Sequence, residues 1–164
     1  RLNTYKSEEF LSASIDKFGD SVYRLALCRL GSEADAEDVF QEVFLRLFKS
    51  NTDFNDNEHL KAWLLRVTIQ RCNDFHRALN RRQTENIDDC RELSQNIPQD
   101  YSELWSAVNS LPDNQRTAIH LFYAEGYSTE EIAEVMDCQP STVRTWLHRG
   151  RKELKTMLEE DCYE

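Results

Sequence analysis

The side chains best suited to chemistry lie near the carboxyl end of the sequence, in a short basic segment. Residues 141–155 carry five Lys or Arg and one Glu, which gives this segment a local charge of +4. If the segment is helical, its cations, Thr and His share an outward face. Arg can donate two hydrogen bonds to guanine O6 and N7, and Thr or His can make shorter contacts to bases or phosphates. The candidate residues for reading duplex DNA are Ser141, Thr142, Arg144, Thr145, His148, Arg149, Arg151 and Lys152.

A second helical pattern precedes this segment at the spacing of a helix-turn-helix motif. Residues 129–136 predict a short helix, and about four residues separate it from the basic helix. Ser128 and Thr129 are suitable caps for the short helix. The motif predicts binding in the major groove, and the alternative is a helical hairpin whose basic face is simply solvated. The side chains available to pack the two helices together are Ile132, Ala133, Met136, Val143 and Leu147.

Residues 61–82 form a second basic segment, with six Lys or Arg and one Asp. Trp63 and Phe75 lie among these cations at helical spacing, an arrangement that suits stacking on unpaired bases. Apolar residues at such spacing are more often core residues, and we favour that interpretation for both. Phe54 differs, because a polar loop rich in Asn and Asp surrounds it. Its ring could form a pocket for one unstacked base, or it could simply tether the loop to the core.

Apolar periodicity in the first half of the chain predicts three long helices with short connections. They are expected at residues 7–30, 32–48 and 59–82, and the second has the clearest i, i+3, i+4, i+7 pattern. Gly31 is placed to end the first helix, and Ser32 is placed to start the second. Three such helices form a compact bundle, so residues 1–82 are predicted to be one domain.

The second half predicts a separate, smaller helical domain. Residues 83–102 show no sustained period and carry acidic groups with Pro98, which favours a flexible acidic linker. Residues 103–164 then contain the helix-turn-helix motif. The predicted fold class is all-α, with two small helical domains and the helix-turn-helix in the C-terminal one. The helices expected in this domain cover residues 103–110, 113–124, 129–136 and 142–159.

The charge distribution indicates several kinds of partner. The net charge is −10 although two segments are basic, so the remainder of the chain is strongly acidic. Such asymmetry suggests two contacts with nucleic acid and a separate contact with protein. No apolar run is long enough to cross a bilayer, and residues 1–10 lack the apolar core of a signal peptide. We therefore expect a cytoplasmic protein without membrane insertion.

Catalytic and metal sites are not expected from the sequence. The five cysteines are widely spaced and include no CxxC pair, so free thiols in a reducing compartment are the simplest interpretation. The chain also lacks a Gly-rich phosphate loop, clustered metal ligands and a nucleophile signature. We predict no catalytic residue, no metal and no cofactor.

Several motifs in order resemble one protein family over residues 10–158. They are D-A-E-D-V-F-Q-E-V-F-L-R-L-F, W-L-L-R-V, D-F-H-R, L-P-D-N-Q-R, E-I-A-E-V-M and S-T-V-R-T-W-L-H-R-G-R-K-E-L. Together they resemble the extracytoplasmic-function (ECF) sigma factors of the sigma-70 family. The resemblance implies a factor that brings core RNA polymerase to promoter DNA and that an anti-sigma factor holds inactive.

The same resemblance implies roles for particular residues. The helix-turn-helix would read the −35 promoter element, and the acidic linker would pass through polymerase channels and imitate phosphates. The residues implied for contact with the polymerase clamp helices are Asp38, Gln41, Glu42 and Leu45. The residues implied for capture and melting of the −10 element are Phe54, Asn55, Lys61, Trp63, Arg66, Gln70 and Arg77.

Three positions depart from the pattern of this family. Gln70 stands where many members have Asn, and Trp146 and Gly150 stand where Arg and Ala are frequent. The recognition helix thus loses one cation and gains an aromatic residue, for which we favour a packing role.

Two other functions fit part of the sequence. A sigma-mimicking regulator would bind an anti-sigma factor without DNA, which agrees with the charge of −10 but leaves the basic helix without a purpose. A helix-turn-helix repressor would explain the C-terminal half only. Binding to core polymerase separates the repressor from the sigma factor.

Overall fold

The computed structural model describes residues 7–83 and 102–161, and these residues form seven α-helices. The helices divide into two units, α1–α3 and α4–α7. The prediction of an all-α fold is confirmed. Most of the predicted linker lies outside the described residues, although Gln83 extends α3 and Ser102 starts α4. The helix bounds are Glu8–Leu30 (α1), Glu33–Lys49 (α2), Asn57–Gln83 (α3), Ser102–Ser110 (α4), Asp113–Tyr123 (α5), Thr129–Met136 (α6) and Pro140–Asp161 (α7).

Local sequence signals set the ends of α1 and α2. Ser7 caps α1 by accepting a hydrogen bond from the Phe10 N–H at 3.2 Å. Gly31 ends that helix in the left-handed region with φ at 68°, which glycine adopts without a steric penalty. Ser32 then caps α2 by accepting from the Asp35 N–H at 3.4 Å. The predicted roles of Gly31 and Ser32 are both confirmed.

The first unit is a three-helix bundle around a continuous apolar core. Fully burying a Leu, Val or Phe side chain stabilises a fold by about 1.5–3 kcal/mol, so this core is the main source of the unit's stability. Trp63 and Phe75 are half-buried and pack against it, as their core interpretation predicts. The buried residues of the core are Phe18, Val22, Ala26, Leu30, Ala36, Val39, Val43, Phe44, Leu47, Phe54, Leu60, Leu64, Val67 and Cys72.

The second unit packs α4, α5 and α6 against the long helix α7. Arg116 closes the corner between α4 and α5, because its guanidinium donates to the Asn109 carbonyl at 2.9 Å and to the Asp113 carboxylate. The L-P-D-N-Q-R motif thus has a structural role in this corner. The apolar residues buried in the unit are Ala107, Leu111, Ala118, Ile119, Leu121, Tyr127, Ile132, Ala133, Val135, Val143 and Leu147.

A close approach of α5 and α7 depends on a residue without a side chain. Gly150 is buried, and a β-carbon at this position would lie 2.5 Å from the Cδ1 atom of Ile119. The two helices therefore meet at a distance that leaves no room for a methyl group unless Ile119 moves. Among the described helices, none is long and apolar enough to cross a membrane.

Candidate nucleic-acid interface

Local hydrogen bonds fix the connection between the two helices of the helix-turn-helix motif. Ser128 Oγ accepts from the Glu131 N–H at 3.2 Å, and Glu131 Oε1 accepts from the Ser128 N–H at 3.1 Å, which forms a capping box at the start of α6. Asp137 ends α6 with φ at 54°, in the left-handed region that Asp enters more readily than most residues. The Cys138 N–H then donates to the Ala133 carbonyl at 3.0 Å. The predicted motif is therefore present, with a turn of three residues.

The basic helix presents its predicted reading residues to solvent. α7 begins at Pro140, two residues earlier than expected, and proline is well suited to a first helical position because it lacks an N–H. Its inner face buries Val143 and Leu147. Thr142 is half-buried at the edge of that face. The exposed residues of the predicted reading surface are Ser141, Arg144, Thr145, His148, Arg149, Arg151 and Lys152.

An acidic side chain that the sequence did not single out lies beside this surface. Glu130, in the first turn of α6, accepts a hydrogen bond from the Thr129 hydroxyl at 3.0 Å. The pKa of Glu130 is lowered, first by its own backbone N–H, then by Thr129, and to a smaller extent by the positive charge of Arg144. Glu130 is thus ionised at neutral pH and places a negative charge in the surroundings of Arg144.

Arg151 is held by two aromatic side chains of α5. Its Nε donates to the Tyr123 hydroxyl at 2.8 Å, although the two residues are 28 positions apart. The guanidinium carbon also lies 5.3 Å from the ring centroid of Phe122 and 5.5 Å from that of Tyr123. These distances are within the range of cation–π attraction. These contacts orient the guanidinium of Arg151, which the sequence analysis named only as one of the DNA-reading candidates.

The loop before α3 bears on the two interpretations of Phe54 that the sequence left open, a base pocket or a tether to the core. Phe54 is 0% exposed and packs edge-on against Trp63, with ring centroids 5.5 Å apart, and against His59 at 5.3 Å. Burial of the ring removes apolar surface from water, which favours the alternative that Phe54 tethers the loop. The His59 ring also accepts from the Asn55 N–H at 3.1 Å, and Asp56 accepts from the His59 N–H at 2.8 Å. The side chain of Asn55 is exposed.

The basic helix of the first unit presents a polar stripe next to that loop. Arg66, Gln70 and Arg77 are exposed and share one face of α3, because four and seven residues complete close to one and two helical turns. Lys61 is half-buried near the start of the helix. Arg77 lies 3.7 Å from Asp74, an exposed ion pair that contributes little to stability. The predicted residues of α3 thus form one surface except for Lys61, and Trp63 in that surface is half-buried and shared with the core. Lys61 is five residues before Arg66, which places it about 140° around the helix.

The outer face of α2 combines acidic and apolar side chains. Asp38, Gln41 and Glu42 are exposed, and 53% of Leu45 is exposed. Phe48 belongs to the apolar period of the predicted second helix, which would place it on the inner face. That assignment is wrong, since 43% of Phe48 is exposed. Position 48 is about 100° around the helix from the buried Leu47, which carries it beyond the edge of the core. Phe48 therefore enlarges the predicted polymerase surface.

Comparison with protein families matches both units in order along the chain. The family described as Sigma-70 region 2 matches residues 15–82, and the family described as Sigma-70, region 4 matches residues 101–154. The first match covers α3 up to residue 82, and the second covers the helix-turn-helix motif with α7 up to residue 154.

Curated relatives and solved structures agree with this match. The chain is 34% identical to the ECF RNA polymerase sigma factor SigE of Mycolicibacterium smegmatis over 88% of its own length, and it spans 60% of that relative. It is 31% identical to the ECF RNA polymerase sigma-E factor of Haemophilus influenzae, over 81% of its own length and 79% of the relative. The fold resembles the sigma factor RpoE from Bartonella quintana, solved in complex with the anti-sigma factor NepR. The TM-score for that structure is 0.72 at 23% identity, and the likeness covers 93% of this chain and 98% of the other. On these matches, the chain belongs to the ECF RNA polymerase sigma factors of the sigma-70 family.

Proposed function

We propose that this protein binds core RNA polymerase and directs it to specific promoters, as a sigma factor of the ECF type. The observation that carries this proposal is the presence of sigma regions 2 and 4 in one chain, each with an exposed surface of suitable chemistry. The family is not known for enzymatic activity, and in this proposal the polymerase performs all catalysis without a cofactor from this chain. The protein would act in the cytoplasm.

The two domains would divide the work. Residues 1–82 would bind the polymerase clamp and the −10 element, residues 103–164 would bind the −35 element, and residues 83–102 would link them. The polymerase contact would use the face of α2 that carries Asp38, Gln41, Glu42 and Leu45, and Phe48 supports it by adding apolar area. Exposed apolar residues surrounded by polar ones are typical of protein interfaces.

The −10 contact would use the polar stripe of α3 and the surface of the adjoining loop. Because Phe54 is buried, its role in this proposal is to hold the loop in place. The side chains that would touch DNA are Asn55, Lys61, Arg66, Gln70 and Arg77, with the exposed edge of Trp63.

An anti-sigma factor would hold this protein inactive until it is needed. The support is that RpoE, which has the same fold, is solved in complex with the anti-sigma factor NepR. The chain also offers apolar side chains to such a partner, since 45% of Leu104 and 39% of Trp105 are exposed on α4.

Run-off transcription with purified core polymerase tests the proposal. The assay uses a pooled promoter library at moderate salt, with and without the protein, together with a measurement of core binding. We expect discrete start sites only when the protein is added. Binding to core without specific transcripts from any promoter would favour the sigma-mimicking regulator. Absence of core binding would contradict the proposal and favour the helix-turn-helix repressor.

A further inference from the structure

The Arg151 and Tyr123 pair has the chemistry of a phosphate site. The sequence named Arg151 as a DNA contact, and the structure adds Tyr123 as its partner. Arg151 uses only its Nε toward Tyr123, at 2.8 Å. Within the described residues, no hydrogen-bond partner is found for its two terminal nitrogens. The Tyr123 hydroxyl accepts the Arg151 bond, so its own proton can still be donated. Because 62% of Tyr123 is exposed, both groups are accessible from solvent.

The position of this pair on α7 indicates which ligand it would meet. Arg151 is seven residues after Arg144 and three after His148, so all three lie in one stripe of exposed side chains. Arg144 and Arg151 are about 10 Å apart along the helix axis. In a helix-turn-helix, the first turns of the reading helix contact base edges. A residue two turns further along reaches the edge of the groove, where the backbone runs.

We propose that Tyr123 and Arg151 together bind one phosphodiester group of the −35 DNA. The terminal nitrogens of Arg151 would donate two parallel hydrogen bonds to the phosphate oxygens, and the Tyr123 hydroxyl would donate a third. Phe122 packs against both members of the site, since its ring centroid lies 5.0 Å from that of Tyr123 and 5.3 Å from the guanidinium carbon of Arg151. The aromatic contacts fix the guanidinium before DNA arrives, so less side-chain freedom is lost on binding. This inference rests on the proposed function, because it assumes that −35 DNA binds to the exposed reading surface of α7.

The test uses the full chain with core polymerase and a promoter duplex recovered by the wild-type protein. Single methylphosphonate substitutions, which remove the charge of one phosphate, are placed along the −35 backbone. We expect one position at which the wild type loses about tenfold in affinity, as for a hydrogen bond to a charged group. Tyr123→Phe should bind the natural duplex about tenfold more weakly and should show little further loss at that position. Tyr23→Phe, in the other unit, is the matched control and should behave as the wild type.

A second measurement needs no promoter. On a duplex of random sequence, Arg151→Ala should lower the slope of log affinity against log salt by about 0.9, the contribution of one neutralised phosphate. Arg24→Ala, an exposed Arg of α1, should leave the slope unchanged. A Tyr123→Phe protein with the wild-type methylphosphonate profile, or an Arg151→Ala protein with the wild-type salt slope, would overturn the inference. If the wild type recovers no promoter but Arg151→Ala lowers the slope, the proposed function fails and the phosphate contact stands.

Discussion

Gly150 of α7 faces Ile119 of α5 so closely that a β-carbon at position 150 would lie 2.5 Å from the Ile119 Cδ1 atom. In a helix interior, Ala is favoured over Gly by about 1 kcal/mol, but here the added methyl group meets a buried side chain. The two effects oppose each other, and Ile119 decides the outcome, because only its terminal atom is in the way.

We therefore predict that Gly150→Ala is better tolerated when Ile119 is shortened. Gly150→Ala in the wild-type background should give little or no gain in the free energy of unfolding. In an Ile119→Val background, which lacks the clashing atom, the same change should stabilise by about 1 kcal/mol. Urea denaturation of the four proteins in this cycle measures the coupling. Equal effects of Gly150→Ala in both backgrounds would show that Ile119 already moves aside at no cost.

Phe54→Ala is expected to destabilise the first unit strongly. The ring is 0% exposed and its removal leaves a cavity beside Trp63, which costs about 3–5 kcal/mol for a buried Phe. Leu45→Ala is the control, since a half-exposed side chain should change stability by less than about 0.5 kcal/mol. Chemical denaturation followed by tryptophan fluorescence measures both. A small effect of Phe54→Ala would mean that the ring spends much of its time outside the core, as a base-binding role requires.

The contrast between Phe54 and Ser7 shows what could be predicted from the sequence. Ser7, Gly31 and Ser32 act on residues within four positions, so their capping roles follow from local chemistry alone. Helix periodicity also predicted most of the core and the exposed face of α7. The burial of Phe54, the exposure of Phe48 and the pairing of Arg151 with Tyr123 depend on which helices meet and at what depth. The influence of Glu130 on Arg144 was not predicted either, because it depends on how the turn between α6 and α7 brings the two helices together.

Glu130→Gln should increase affinity for DNA and reduce selectivity. Glu130 is ionised near Arg144, so it repels phosphates and partly cancels the positive potential around that Arg. We expect non-specific duplex affinity to rise about two- to fivefold, with a smaller ratio of specific to non-specific binding. Glu103→Gln, an exposed acid of α4, makes the same charge change away from the reading surface. Fluorescence anisotropy with specific and random duplexes measures the ratio, and an unchanged ratio would exclude a role for Glu130 in reading.

The pH dependence of this effect follows from the lowered pKa of Glu130. A carboxylate with a lowered pKa keeps its charge until the pH falls below its ordinary value of 4.5. The difference between the wild type and Glu130→Gln should therefore be constant across the neutral range. A difference that disappears between neutral pH and pH 4.5 would show that the carboxylate takes up its proton above the expected range.

Leu45→Ser combined with Phe48→Ser should weaken binding to core polymerase without unfolding the protein. Both side chains are substantially exposed on α2, so their removal costs little stability but takes apolar area from the proposed contact. We expect a loss of about tenfold or more in affinity for core, measured by fluorescence anisotropy of a labelled protein. Leu104→Ser, an exposed Leu of α4, is the matched control. Equal losses from both variants would place the polymerase contact elsewhere.

Arg144→Ala combined with Arg149→Ala should abolish promoter recognition while core binding is retained. Both residues are exposed on α7, where a bidentate Arg contact with guanine is worth about 1–3 kcal/mol in discrimination. The control is Lys17→Ala combined with Arg24→Ala, which removes the same charge from exposed positions of α1. Run-off transcription and core binding are measured for each pair. Since α7 lies in the second unit and the proposed clamp contact in the first, the two activities should separate. A parallel loss of core binding and transcription would contradict this division, because it would mean that the basic face of α7 itself contacts the polymerase.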